Sequence, residues 1–78
     1  MKRVKINLST IDKVKKFTEA ALTLPCDIEI RSGKYIIDGK SIMGIFSLNL
    51  DHDIDLVINS DDDAVIAKAL DKFSNFIV

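Results

Sequence analysis

The residue types that most often carry chemistry are scarce in this chain. His52, the only histidine, lies between Asp51 and Asp53 in a short polar stretch. Such a trio could join a metal site, but no second histidine or cysteine completes a ligand set. No base is placed beside a nucleophile either. We therefore predict an exposed loop histidine, with no catalytic residue and no metal site.

The cysteine and the glycines also argue against an enzyme. Cys26 is the only cysteine, so the chain cannot form an internal disulfide. We expect a small, partly buried side chain beside a strand, because a reactive thiol needs electropositive surroundings. The glycines at 33, 39 and 44 are too far apart to form a phosphate-binding loop. The sequence predicts a protein that is not an enzyme and needs no cofactor.

Three consecutive aspartates, Asp61 to Asp63, follow Ser60. They could be read as metal ligands, but a calcium loop would need a glycine and a closing glutamate that are missing. A helix start explains them better, because the helix dipole favours negative charge in the first turn. Ser60 then becomes the expected N-cap, three residues before an acidic residue.

The stretch from Ser41 to Leu48 is the most unusual in the chain. Ser41 is a good N-cap for a short helix, and Gly44 inside that helix would allow another surface to come close. The helix has more apolar residues than one buried face can hold, so Met43 and Phe46 are expected at the surface. Exposed apolar clusters mark interaction sites, although these two side chains could also complete the edge of the core.

Length and composition indicate one small globular domain spanning residues 1–78. The chain is 47% hydrophobic with a net charge of −1, which fits neither a disordered tail nor a basic nucleic-acid module. No apolar run could cross a bilayer or serve as a signal peptide, so we expect a cytoplasmic protein without membrane contact.

Periodicity and turn signals predict seven elements in the order β-α-β-β-α-β-α. The expected inward face is Ile11, Val14, Phe17, Ala21 and Leu22 in the first helix, and Ile66, Ala67, Leu70, Phe73 and Ile77 in the last. The expected elements are strands 3–8, 27–32, 34–38 and 54–59, a helix from 11 to Pro25, a short helix after Ser41 and a helix after Ser60. One-sided helices of this kind favour an antiparallel sheet with the helices on one face.

The run GKSIMGIFSLNL, residues 39–50, resembles the segment around the regulatory serine of HPr, the histidine-containing phosphocarrier of the bacterial sugar phosphotransferase system. The matching residues are Lys40, Ser41, Ile42, Met43, Gly44, Ser47 and Leu48. The element order is also that of HPr. The resemblance therefore implies an HPr-like α/β open-faced sandwich, with a four-stranded antiparallel sheet and three helices on one face.

The sequence departs from the HPr pattern at the active site. Counting back from Ser41, Thr10 falls where the family has its phosphorylated histidine, and Asp12 where it has an arginine. A threonine hydroxyl is a poor acceptor of phosphate from phosphohistidine, and an aspartate repels phosphate. Two loop glycines of the family are replaced by Asn49 and Asp53, residue types that tolerate positive φ.

The resemblance thus implies a regulatory protein-binding module rather than a relay of phosphate. Ser41 is the candidate site for an HPr kinase, and Ile42, Met43 and Phe46 are the candidate partner surface for a transcriptional regulator or enzyme I. Ser41 acting only as a helix cap is the simpler reading. Two alternatives remain open: a phosphocarrier that uses Thr10, Ser9 or His52, and a structural domain that self-associates. We expect a monomer or a weak homodimer.

Overall fold

A computed structural model describes all 78 residues, Met1 to Val78, and has the predicted order of elements. The strands are β1 (Lys2–Ile6), β2 (Asp27–Ser32), β3 (Tyr35–Asp38) and β4 (Ile54–Asn59). The helices are α1 (Ile11–Leu22), α2 (Ile42–Phe46) and α3 (Asp63–Lys72). None of these helices is long and apolar enough to cross a membrane.

The four strands form one antiparallel sheet in the order β1-β4-β2-β3. Alternate residues of each strand face the helices, so that Ile28 and Ile58 are paired and both buried. The aromatic centre of the core is Phe17 on α1 stacked on Phe73, with ring centroids 4.7 Å apart. Ile45 of α2 belongs to the same core cluster, so all three helices cover one side of the sheet, which confirms the open-faced sandwich.

The other face of the sheet is covered by charged side chains rather than by helices. Asp55 accepts hydrogen bonds from Arg3 at 2.6 Å and Lys5 at 2.9 Å across the β1–β4 pair. Arg3 and, to a lesser extent, Lys5 lower the pKa of the Asp55 carboxyl below its ordinary value. Val57 looks like an apolar exception on this face, but it is only 1% exposed between its ladder partners, Arg3 and Glu29. The long charged side chains of such a face shield apolar surface with their stems.

Some predicted details of the helices are wrong. Ile11 and Leu22 are the first and last residues of α1, where they extend past the core, and they are exposed. In α3, Ala69 is buried and Ala67 is exposed, because Ala69 lies one turn before the buried Phe73.

The last helix also begins later than predicted. Asp62, not Ser60, is its N-cap, and its carboxylate accepts the Ala64 N–H at 2.9 Å. Ser60 Oγ accepts the Asp62 N–H at 3.1 Å and so forms the turn that precedes the helix. A serine and an aspartate two residues apart compete for the cap, and the charged acceptor makes the stronger hydrogen bond. β1 and β3 differ from the predicted strands only at their ends.

Candidate regulatory and partner-binding site

Ser41 is the N-cap of α2, as the sequence predicts. Its backbone is extended, and its Oγ accepts the Gly44 N–H at 3.2 Å. The Ser41 N–H donates in turn to the Asp38 carbonyl at 3.0 Å, which closes the turn from β3. Ser41 is half-buried, so its hydroxyl is held in the cap while part of the residue remains open to solvent.

The residues just before Ser41 anchor this turn on the rest of the fold. The Gly39 N–H donates to the Ile28 carbonyl at 2.6 Å, and the backbone approach leaves no room for a side chain at Gly39. Lys40 Nζ donates to the Leu24 carbonyl at 3.2 Å, just beyond the end of α1. The cap of α2 is therefore fixed against both β2 and α1.

Gly44 allows another surface to come close, as the sequence suggests, and that surface belongs to the chain itself. The surface that approaches it is the chain's own strand β3, at Ile37, rather than a separate partner. This contact, together with the buried Ile45, fixes the orientation of α2 on the sheet. The missing side chain at Gly44 thus explains how the helix is seated and leaves partner binding to the outer face.

The outer face of α2 presents two large apolar side chains. Met43 is 77% exposed and Phe46 is 39% exposed. Ile42, the third residue of the predicted partner surface, is half-buried and packs against the core cluster. The candidate surface therefore consists mainly of Met43 and Phe46, with Ile42 at its base.

Thr10 lies where the family resemblance leads us to expect the phosphorylated histidine. It is exposed and is the N-cap of α1. Its Oγ1 accepts the Lys13 N–H at 3.1 Å, and Asp12 pairs with Lys16 at 3.2 Å. The hydroxyl of Thr10 is thus used as a cap acceptor, and the nearby carboxylate forms a local ion pair on the helix surface. The difference from Ser41, which is also an N-cap, is that Asp12 places a carboxylate in the first turn of α1, where it would repel a phosphate.

The structure does not bring Thr10 and Ser41 into one site. Thr10 precedes the first residue of α1, whereas Lys40 contacts Leu24, just past the last residue. A helix of 12 residues is about 18 Å long. The two candidate positions therefore lie toward opposite ends of α1.

The remaining candidates lie outside these two positions. His52 is exposed in the loop before β4, and Cys26 is half-buried beside β2. No group of three or more histidine, cysteine or acidic side chains is arranged to hold a metal ion.

The two loop residues that stand in place of family glycines do not have the backbone conformation that glycine favours. No residue other than glycine has positive φ, so Asn49 and Asp53 do not replace glycines in that conformation. Asn49 instead accepts the Asp51 N–H at 3.0 Å.

Comparison with known proteins supports the family resemblance. The family model PTS-HPr, described as the PTS HPr component phosphorylation site, matches residues 12–78. The chain belongs to the HPr family. Proteins of this family are phosphocarriers of the sugar phosphotransferase system, and they act through protein partners such as enzyme I. The matched range begins two residues after Thr10.

Solved structures with the same fold include two HPr proteins. HPr-C-His from Thermoanaerobacter tengcongensis has a TM-score of 0.73 and 24% identity, covering 95% of this chain and 97% of that one. The phosphocarrier protein HPr from Bacillus anthracis has a TM-score of 0.65 and 25% identity, covering 91% and 92%. A comparison with curated protein sequences gives no match. The HPr-like fold is therefore shared over almost the whole chain.

The sequence did not indicate one further feature, a surface cleft where the β2–β3 turn meets the segment after α2. His52 lines this cleft together with Lys34 and Tyr35. Its two walls are separated by more than ten residues in the chain, and no motif connects them. Only the folded structure shows that they face each other.

Proposed function

We propose that this HPr-family protein acts by regulated protein–protein contact and does not relay phosphate through a histidine. The observation that carries the proposal is the hydroxyl of Thr10, which caps α1 where the family resemblance leads us to expect an imidazole. The only histidine, His52, is in the loop before β4 and precedes no helix. The chain would then be a binding module and not an enzyme.

The cap geometry of Ser41 supports a role in phosphorylation. A phosphate on its Oγ would lie at the start of α2, where free N–H groups and the helix dipole favour negative charge. Lys40 is the adjacent residue, although its ammonium is hydrogen-bonded to the Leu24 carbonyl and would have to leave that partner to reach the phosphate. Modification by an HPr kinase would therefore add charge without requiring the fold to open.

The partner would contact the surface formed by Met43 and Phe46. These side chains follow Ser41 on the same short helix, so one protein could read the apolar pair and the phosphate together. Methionine suits such surfaces because its flexible thioether adapts to the partner. A transcriptional regulator that binds the phosphorylated form is the partner class that we propose.

Incubation with ATP and an HPr kinase, followed by intact-mass measurement, tests the modification. We expect one added phosphate in the wild type and in Ser47→Ala, and none in Ser41→Ala. Ser47 is the matched control because it is the other serine of this segment and is exposed. An unchanged wild-type mass would reduce Ser41 to a helix cap and remove the regulatory part of the proposal.

The apolar surface is tested by replacing Met43 with aspartate. Because Met43 is exposed, Met43→Asp should change the free energy of unfolding by less than about 0.5 kcal/mol. It should abolish binding of the partner, whereas Lys68→Gln on α3 should not. If Met43→Asp instead converts a dimer into a monomer in sedimentation, the surface is a self-interface and the regulator model is wrong.

A further inference from the structure

A cleft of about 590 Å³ lies on the surface beside the end of α2. One wall is the turn between β2 and β3, and the other is the segment that leads from α2 to β4. The residues lining it are Ser32, Gly33, Lys34, Tyr35, Ser47, Leu48, Asn49 and His52. A cavity of this size falls within the range of small-molecule sites.

The lining contains hydrogen-bond donors but no carboxylate. This is notable in a chain with 12 acidic and 11 basic residues. Lys34 forms no ion pair with any acidic side chain of the chain. The nearby Asp53 is turned away, since its carboxylate accepts a hydrogen bond from Asn7 at 3.2 Å. The cleft is therefore suited to an anion.

Asn49 is a further hydrogen-bond donor among the lining residues. Its Oδ1 accepts the Asp51 N–H at 3.0 Å, so the amide NH₂ is left free to donate. The hydroxyls of Ser32 and Tyr35 add two further donors on the opposite wall. Donors on both walls, with the lysine charge among them, suit the three acceptor oxygens of a phosphate, and the comparison with benzoate below distinguishes a phosphate from a carboxylate.

The cleft also offers an apolar contact for the body of a ligand. Tyr35 is 58% exposed although it is a large aromatic residue, and Leu48 is half-buried on the facing wall. The two side chains give the cleft an apolar contact on each wall, and His52 also lines it. A ligand with a phosphate and a ring would use both halves of the cleft.

We propose that this cleft binds a small organic phosphate, with the phosphate on Lys34 and Asn49 and the ring against Tyr35 and Leu48. The proposal does not depend on phosphorylation of Ser41, because the two positions share no residue. Leu48 directly follows Ser47, the C-cap of α2, so a bound ligand would contact the helix that presents Met43 and Phe46.

Phenyl phosphate is a suitable probe, titrated into ¹⁵N-labelled protein and followed by two-dimensional NMR. We expect saturable shifts confined to amides of residues 32–35 and 47–52. Lys34→Gln should weaken binding about five-fold, as expected for loss of one charged contact at an exposed site. Lys68→Gln, which removes an exposed lysine on α3 that forms no ion pair, is the matched control and should bind as the wild type does.

Several outcomes would overturn the proposal. Shifts that do not saturate by about 10 mM would mean that no site of useful affinity exists. Equal weakening in Lys34→Gln and Lys68→Gln would mean nonspecific attraction to lysines. Benzoate binding as tightly as phenyl phosphate would exclude phosphate selectivity. Inorganic phosphate binding as tightly would exclude the ring contact with Tyr35.

Discussion

Gly44 on α2 and Ile37 on β3 approach so closely that no side chain fits between them. A Cβ added to Gly44 would lie 2.8 Å from Ile37 Cγ2 and 3.1 Å from Ser41 Oγ. The glycine therefore lets the short helix rest on the edge strand while Ser41 keeps its cap hydrogen bond. This contact determines how the outer face of α2 is presented.

Replacing Gly44 with alanine should destabilise the protein despite alanine's higher helix propensity. The propensity gain is about 1 kcal/mol, and overpacking against Ile37 costs about 1–3 kcal/mol. We expect a net loss of about 1 kcal/mol in the free energy of unfolding, measured by urea denaturation.

The double variant with Ile37→Ala provides the control, because it removes the Cγ2 atom that the new Cβ would meet. Gly44→Ala should then cost less than it does in the wild type, which gives a measurable coupling between the two positions. If the Gly44→Ala variant is instead more stable than the wild type, α2 can shift on the sheet and the close contact with Ile37 does not fix its position.

Ser41 should contribute to stability through its cap hydrogen bond whether or not it is phosphorylated. Ser41→Ala should lower the free energy of unfolding by about 1 kcal/mol, because the Gly44 N–H loses its acceptor. Ser41→Asp retains an acceptor and should stay close to the wild type. Urea denaturation of the three proteins tests this, and equal stability of Ser41→Ala and wild type would contradict the cap seen in the structure.

The protein should become less stable in acid, because protonation of Asp55 removes its ion pairs with Arg3 and Lys5. Arg3 and Lys5 lower the pKa of Asp55 in the folded state, so its ion pairs stabilise the fold above the unfolded-state pKa of about 3.9. That stabilisation is lost as the pH falls through the folded-state pKa.

The variant Asp55→Asn isolates this contribution. It should be less stable than the wild type at pH 7 by about 1 kcal/mol or less, and the difference should disappear toward pH 2. Asp51→Asn is the control, because it makes the same chemical change at an aspartate that forms no ion pair. A pH-independent effect of Asp55→Asn would rule out the charge pairing as its cause.

The sequence was sufficient to predict the order of the elements and the cap at Ser41. Strand alternation and helical spacing are local signals, and a cap depends on atoms only two or three residues away. The start of α3 was predicted less well, since Ser60 and Asp62 are both good caps and the choice depends on how the chain leaves β4.

The features that the sequence could not predict depend on contacts between distant segments. Gly44 was expected to allow the close approach of another surface, but the sequence could not say that this surface is Ile37, seven residues earlier on another element. Burial of Val57 requires charged neighbours on both adjacent strands. The cleft around Lys34 and His52 likewise exists only once two loops are brought together.

The central claim is that Thr10 does not accept phosphate, and incubation with phosphorylated enzyme I tests it most directly. Intact mass is measured for the wild type and for the double variant Thr10→His with Asp12→Arg, which restores the residue types expected from the family. We predict an unchanged mass for the wild type and one added phosphate for the variant. An added phosphate on the wild type, lost in Thr10→Ala, would contradict the account and make the protein a phosphocarrier.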